Sequence, residues 1–241
     1  MHPLRPLAAI ILALPLAAQT VTIQPAPGAA AREVRTVPFT AGAVLRVKNV
    51  NGHVHVTVWD RPEAEFTGAF KPARRGEQVK VVLEPRRGGV EVTAEYPKHS
   101  DNGPACDMDL KVPRTARVVV ESVNGAVEVR DLEGSADCRT VNGAIEVDGA
   151  AGGLKAETVN GSIRARRISG DISGKTVNGA ITLKAQALRG RLEASTLNGD
   201  LRITAPGARD VVIGKRNMEA TFGDGQGKVK LHTLNGSITV E

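Results

Sequence analysis

Apolar and polar residues alternate along most of this chain, and Asn-Gly interrupts the alternation at regular intervals. The third and fifth positions after the Asn are apolar each time: Val127 and Val129 follow Asn124, Ile145 and Val147 follow Asn142, and Ile163 and Ala165 follow Asn160. Ile181 and Leu183 follow Asn178, Leu201 and Ile203 follow Asn198, and Ile238 and Val240 follow Asn235. A second alternating pair precedes each corner, such as Ala136 and Cys138 before Asn142 or Leu154 and Ala156 before Asn160. Alternation of period two places one side of each run in a core and the other in solvent, which predicts short strands.

The interval is 18 residues between Asn124, Asn142, Asn160 and Asn178. A period near 20 marks a repeat architecture. Each unit divides into two strands and two turns, Asn-Gly at one corner and a turn such as R-D-L-E-G at the other. This predicts a β-solenoid of two-strand coils over residues 114–241. The predicted repeat corners are Asn124-Gly125, Asn142-Gly143, Asn160-Gly161, Asn178-Gly179, Asn198-Gly199 and Asn235-Gly236. Asn217 lies 19 residues after Asn198 and 18 before Asn235, so it is expected to be the corner of a worn unit, with Met218 in place of Gly. In stacked coils the corner Asn side chains could bond in a ladder while Gly takes a left-handed conformation. The competing reading is an antiparallel meander in which Asn-Gly forms type I′ hairpin turns.

Leu45 and Val47 precede Asn51-Gly52 at the offsets seen in the repeats, so a first coil is expected near 44–58, inside an N-terminal β region spanning 32–113. Within that region A-E-F-T-G-A-F, V-K-V-V-L, G-V-E-V-T-A-E-Y and C-D-M-D-L-K-V read as strands separated by the turns K-P-A-R-R-G and P-R-R-G-G, which invite antiparallel hairpins. Residues 98–104 read as a loop. No helical periodicity follows the N-terminal segment, and the fold class expected is all-β.

Composition narrows the core. Only 2% of the chain is aromatic, so the core must be built from Val, Ile, Leu and Ala. Residues 1–18 carry Arg5, an apolar run and a small-residue end at Ala17 and Ala18, the layout of a secretory signal peptide. That run is too short for a membrane span, and no transmembrane anchor is expected in the mature chain. Pro- and Ala-rich residues 19–31 read as a flexible leader. Export to a periplasmic or extracellular location follows. The net charge of +6 is dispersed and of both signs, without a patch or module that would indicate nucleic-acid binding.

Candidate chemistry is sparse. Cys106 and Cys138 could form one disulfide in an oxidising compartment or act as small buried residues. His53 and His55 share one strand face, but no third metal ligand stands near in sequence. His99, Asp101, Asp107 and Asp109 would need a folded-back loop. The G-D-G-Q-G run at 223–227 supplies a single Asp where calcium needs several oxygens. No G-x-S-x-G elbow is present, and Glu128, Glu146 and Asp148 recur as outward residues of strands. No catalytic, cofactor or metal site is expected, and the chain reads as a non-enzyme.

The run VPRTARVVVESVNGAVEVRDLEGSADCRTVNGAIEV (112–147) resembles the bacterial family of exported or membrane-associated proteins called "putative adhesins" with beta-strand repeats, domain of unknown function 4097. The resemblance covers about 32–241 and rests on phrase, period and order together. Departures lie at Met218, at P-G-A-R-D near Arg209 and at G-D-G-Q-G. The family supplies no catalytic residues, and some relatives attach to envelope-stress systems. The architecture, with parallel sheets that offer regular rows of Arg, Lys, Glu and Thr, reads as an exported structural or adhesin-like protein that binds an envelope polymer or protein through a sheet face. The alternatives are an envelope-associated regulatory or stress-sensing module and, less favoured, a polysaccharide-active β-helix enzyme, which would need carboxylates clustered in a groove.

Overall fold

The computed structural model describes residues 19–23, 31–71, 79–97, 103–186 and 188–241. The expected signal peptide, most of the leader, the K-P-A-R-R-G turn and His99 and Asp101 lie outside them.

The described residues form strands and turns without a helix. In the N-terminal region the strands are β1 (Gln19–Ile23), β2 (Ala31–Pro38), β3 (Val44–Lys48), β4 (Val54–Trp59), β5 (Glu63–Lys71), β6 (Lys80–Arg86), β7 (Gly89–Glu95) and β8 (Ala105–Pro113). The regular repeats supply β9 (Arg117–Glu121), β10 (Val127–Leu132), β11 (Ala136–Asn142), β12 (Ile145–Ala150), β13 (Leu154–Asn160), β14 (Ile163–Ile168), β15 (Ile172–Asn178) and β16 (Ile181–Leu183). The chain finishes with β17 (Gly190–Asn198), β18 (Leu201–Ile203), β19 (Arg209–Ile213), β20 (Asn217–Phe222), β21 (Lys228–Asn235) and β22 (Ile238–Val240).

These strands build two facing sheets of 11 strands each. The first runs β1-β2-β5-β8-β4-β10-β12-β14-β16-β22-β18 and the second β19-β20-β17-β21-β15-β13-β11-β9-β3-β7-β6. Each coil gives one strand to each sheet, and successive coils pair in parallel and in register, as in Ile145↔Ile163 on one side and Ala136↔Leu154 on the other. The solenoid is therefore the architecture, and the meander is excluded for the repeats. Antiparallel pairing is confined to the ends of the sheets: β1·β2, β2·β5, β5·β8 and β6·β7 at one end, β17·β20 and β19·β20 at the other.

The order of coils in space is not their order in the chain. Coil β3/β4 lies between β7/β8 and β9/β10, and the last coil, β21/β22, lies between β15/β16 and β17/β18. The N-terminal β region and the repeats thus share both sheets. Residues 19–23, expected in the leader, form β1 and pair with β2. Asn217 is a second departure: it sits in β20, opposite Ser195 on an antiparallel partner, and is not a corner. The gap between Asn198 and Asn235 holds a hairpin that covers one end of the stack.

The core is a narrow slab between the sheets. Val54, Val127, Ile145, Ile163, Ile181 and Ile238 stack along one wall, facing Leu45, Val118, Ala136, Leu154, Ile172, Val229 and Leu192 along the other, all buried. The four Phe residues are buried too, and they sit at the ends: Phe39, Phe66 and Phe70 under one cap and Phe222 under the other. The coils leave room for aliphatic side chains, while the caps take the larger rings.

Cys106 and Cys138 are free and buried. They do not form the candidate disulfide, because Cys106 is on β8 in the first sheet and Cys138 on β11 in the second, with coils β3/β4 and β9/β10 between their levels. A disulfide needs Cα atoms within about 7 Å. Burial pushes both thiols up to about 12.

Candidate binding surface

The recurring corner is a tetrapeptide, Thr-(Val/Leu)-Asn-Gly, and each of its residues has a distinct physical task. The Asn side chains form one unbroken ladder in spatial order. Asn124 donates its Nδ2 to Oδ1 of Asn51 at 2.8 Å, Asn142 to Asn124 at 2.8 Å, Asn160 to Asn142 at 2.9 Å and Asn178 to Asn160 at 2.8 Å. Asn235 then donates to Asn178 at 2.8 Å and Asn198 to Asn235 at 2.9 Å. All six bonds run the same way, so the amide dipoles align. Asn51 ends the series and receives a cap: Tyr96 Oη accepts the Asn51 N–H at 2.9 Å and lies 2.6 Å from Asn49 Oδ1.

The Thr lies inside. Thr158 donates to the Gly143 carbonyl at 3.0 Å, Thr176 to Gly161 at 3.0 Å, Thr233 to Gly179 at 2.9 Å and Thr196 to Gly236 at 2.8 Å, so each hydroxyl ties its coil to the neighbouring corner. Ser122 holds the same place in coil β9/β10, but Asn49 Nδ2 takes the Gly52 carbonyl at 3.2 Å and the Ser122 hydroxyl is left without a partner.

Glycine is required by proximity. A Cβ on Gly161 would lie 1.9 Å from the Gly143 carbonyl oxygen. Gly161 is not among the residues with positive φ, which corrects the left-handed expectation there.

The Val or Leu faces solvent. Val50, Val123, Val141, Val159, Leu234 and Leu197 are each 37–43% exposed, and Val177 is half-buried in the same column. Beside them run the Asn ladder, the glycines and a row of small residues, Ala126, Ala144, Ser162, Ala180 and Ser237, with His53 and Asp200 at its ends. At the strand spacing of about 4.8 Å, seven corners make a mostly uncharged strip roughly 30 Å long.

The sheet faces differ in character. Arg166 pairs with Glu146 at 2.6 Å, and Arg167 bridges Asp148 at 2.6 Å and Asp131 at 2.7 Å. On the second sheet Arg139 reaches Asp137 at 3.4 Å and Glu157 at 3.3 Å. These exposed pairs contribute little stability each, and they neutralise part of each face. A shallow trough of about 430 Å³ on the second sheet is lined by Arg117, Lys155, Lys228 and Lys230 together with Asp137 and Asp171.

Other candidates do not converge. His53 and His55 stand opposite Asp107 and Asp109: His55 Nδ1 is 3.2 Å from Asp109, and the His53 N–H bonds Asp107 at 2.9 Å. His53 Nδ1 accepts the Ala126 N–H at 3.3 Å, so its lone pair there is taken. Burial works against ionising Asp107, but the His53 N–H and Lys71 hold its carboxyl below the ordinary value. Among the described residues, no group of three or more His, Cys, Asp or Glu is placed to hold a metal ion. Asp224 accepts the Gln226 N–H within the G-D-G-Q-G turn at 3.2 Å, a bond internal to the turn. The inner Thr and the Tyr96 cap escaped the sequence reading, although Thr two residues before Asn recurs visibly in T-V-N-G and T-L-N-G.

The family profile described as Toastrack DUF4097 matches residues 36–241. The chain belongs to the Toastrack DUF4097 family. The structure of a "putative cell adhesion protein" from Clostridium sporogenes ATCC 15579 is similar to this Toastrack chain, with a TM-score of 0.52 and 9% identity over 88% of this chain and 98% of that one. That likeness is one of fold. A "putative adhesin" from Bacteroides fragilis NCTC 9343 has a TM-score of 0.45 and 11% identity, covering 91% of this chain and 100% of that one. No curated protein matches the chain. No helix among the described residues of this Toastrack chain is long and apolar enough to cross a membrane.

Proposed function

We propose that this chain is a non-enzymatic, exported, adhesin-like scaffold that binds an envelope polymer or protein along its Val/Leu-Asn-Gly corner. The observation that carries this reading is the strip itself: six exposed Val or Leu side chains in one column beside an unbroken Asn ladder, with no charged residue in the row between the terminal His53 and Asp200, although the Arg164 guanidinium reaches in from the first sheet to Ser162 Oγ at 3.1 Å. Solvent-exposed apolar residues aligned in a contiguous row mark interaction sites more often than isolated ones do. An extended partner would meet the same groups at every step, with apolar contacts to Val or Leu and hydrogen bonds to the Asn amides. The sheet faces carry mixed charges, many of them already paired, and the corner is the more uniform surface of the two. The signal-like layout of residues 1–18 and the adhesion name carried by the Clostridium sporogenes neighbour support the exported, adhesive side of the proposal.

The test is binding of the purified chain to isolated envelope fractions and glycan arrays, comparing wild type with the double variant Val141→Lys, Val159→Lys and with Lys228→Glu in the trough. The corner variant should weaken binding about tenfold or more, the equivalent of roughly 1.4 kcal/mol, and Lys228→Glu should leave it unchanged. Loss with Lys228→Glu alone would move the site to the sheet face. Cleavage of a polysaccharide in the same assay would overturn the non-enzymatic reading.

A further inference from the structure

The two ends of the molecule are stepped, and the steps match. Among the described residues, beyond the terminal coil β7/β8 the first sheet continues through β5, β2 and β1 while the second adds only β6. Beyond the other terminal coil, β17/β18, the second sheet continues through β20 and β19 while the first stops at β18. The first sheet therefore overhangs at one end by as many strands as the second overhangs at the other. Translating one copy along the stack would fit the two steps together and extend both sheets.

Strand directions agree with that fit. β6 is antiparallel to β7 and so opposes the coil strands of its sheet, whereas β19, reached through two antiparallel pairings from β17, runs with them. In the other sheet β18 runs with the coil strands. β1, reached from β8 through β5 and β2 by three antiparallel pairings, opposes them. Both junctions, β19 to β6 and β18 to β1, would be antiparallel ladders.

Side chains favour the contact as well. Val211, Val212 and Ile213 of β19 are 45%, 60% and 52% exposed, an apolar edge of the kind that recruits another strand. Val212 and Ile213, beyond the bulge of β19 between Arg209 and Val212, form the regular part of that edge, and Val82 and Leu83 are the half-buried apolar residues of β6 that would face it.

We propose that copies of this chain dock head to tail, β19 and β18 of one pairing with β6 and β1 of the next. Such a contact is heterologous and does not close on itself, so it propagates. Each added copy would continue both sheets along the same axis.

The test is sedimentation of the purified chain without the expected signal peptide, residues 19–241, across a range of concentrations. Wild type should rise past the dimer mass. Val212→Lys and Val82→Lys should each remain single copies, because one end of each is blocked. An equimolar mixture of the two should form a dimer that stops there, since each retains the end the other lacks. A wild type that stays at single-copy mass at every concentration would overturn the proposal. So would a Val212→Lys chain that assembles like wild type, or an equimolar mixture of the two variants that stays at single-copy mass.

Discussion

At the scale of single residues, the repeat is explained by contacts that a substitution can remove one at a time. Thr158→Val keeps volume but deprives the Gly143 carbonyl of its donor, and should cost about 1 kcal/mol, the usual net worth of such a bond. Ser122→Ala should cost close to nothing, because the Ser122 hydroxyl is buried without a partner. Urea denaturation of the two variants measures the difference. Equal losses would mean that the inner hydroxyls do not bond as described. Gly161→Ala should destabilise by about 1–3 kcal/mol through overpacking, since its new methyl would meet the Gly143 carbonyl at 1.9 Å. Outward Arg164→Ala should stay within about 0.5 kcal/mol. Ile163→Val, at a buried position, should cost about 0.5–1.5 kcal/mol. If Gly161→Ala is as mild as Arg164→Ala in the same denaturation series, close coil contact does not explain the glycine.

At the scale of elements, strands were largely legible and their neighbours were not. Alternation of period two located β5, β7, β8 and each repeat strand, because half-buried strands leave that pattern in any sequence. The choice of neighbour leaves no such trace here. Every coil offers the same column of apolar residues in the same register, so β15 can accept β21 or β17 equally well by pattern. Asn217 shows how spacing alone misleads: it sits at the expected interval but lacks the Thr two residues before and the Gly after. Asn198 and Asn235 have both, and they are true corners. The cysteines illustrate the same limit, since alternating flanks place each thiol inside without saying which sheet it belongs to.

The thiols also give an element-level prediction. Their folded-state values stand near 12 against an ordinary 9.0, so the neutral form is favoured by folding. The linked stability is fully present below the unfolded thiol's value, and it fades as pH climbs from about 9 towards 12. Native protein at pH 8 should be silent to a thiol reagent under non-reducing conditions and should release two thiols on denaturation. Two thiols reacting at once in the native state would contradict their burial, and none after denaturation would indicate a disulfide.

At the scale of the whole molecule, the distinctive feature is that the first and last coils of the sequence lie one step inside the stack. A simple solenoid loses an end coil when its chain is shortened, and its remaining repeats keep their contacts. Here, removing residues 228–241 would open the interior between β15/β16 and β17/β18. It would also strip the cap hairpin β19/β20 of its continuity with the stack. Truncation should therefore destabilise far more than the loss of one terminal repeat, measurable as a drop in Tm. The binding strip depends on the same arrangement, because Leu234 and Leu197 continue the column of Val159 and Val177 only in the interleaved order.

The order of the Asn ladder is the claim on which fold and binding strip both rest, and side-chain amide NOEs of the Asn residues read it directly. The interleaved stack predicts that the Asn235 amide protons show contacts to both Asn178 and Asn198, with none between Asn178 and Asn198. Contacts joining Asn178 directly to Asn198, with Asn235 next to Asn217, would show that the coils follow chain order and would contradict the account.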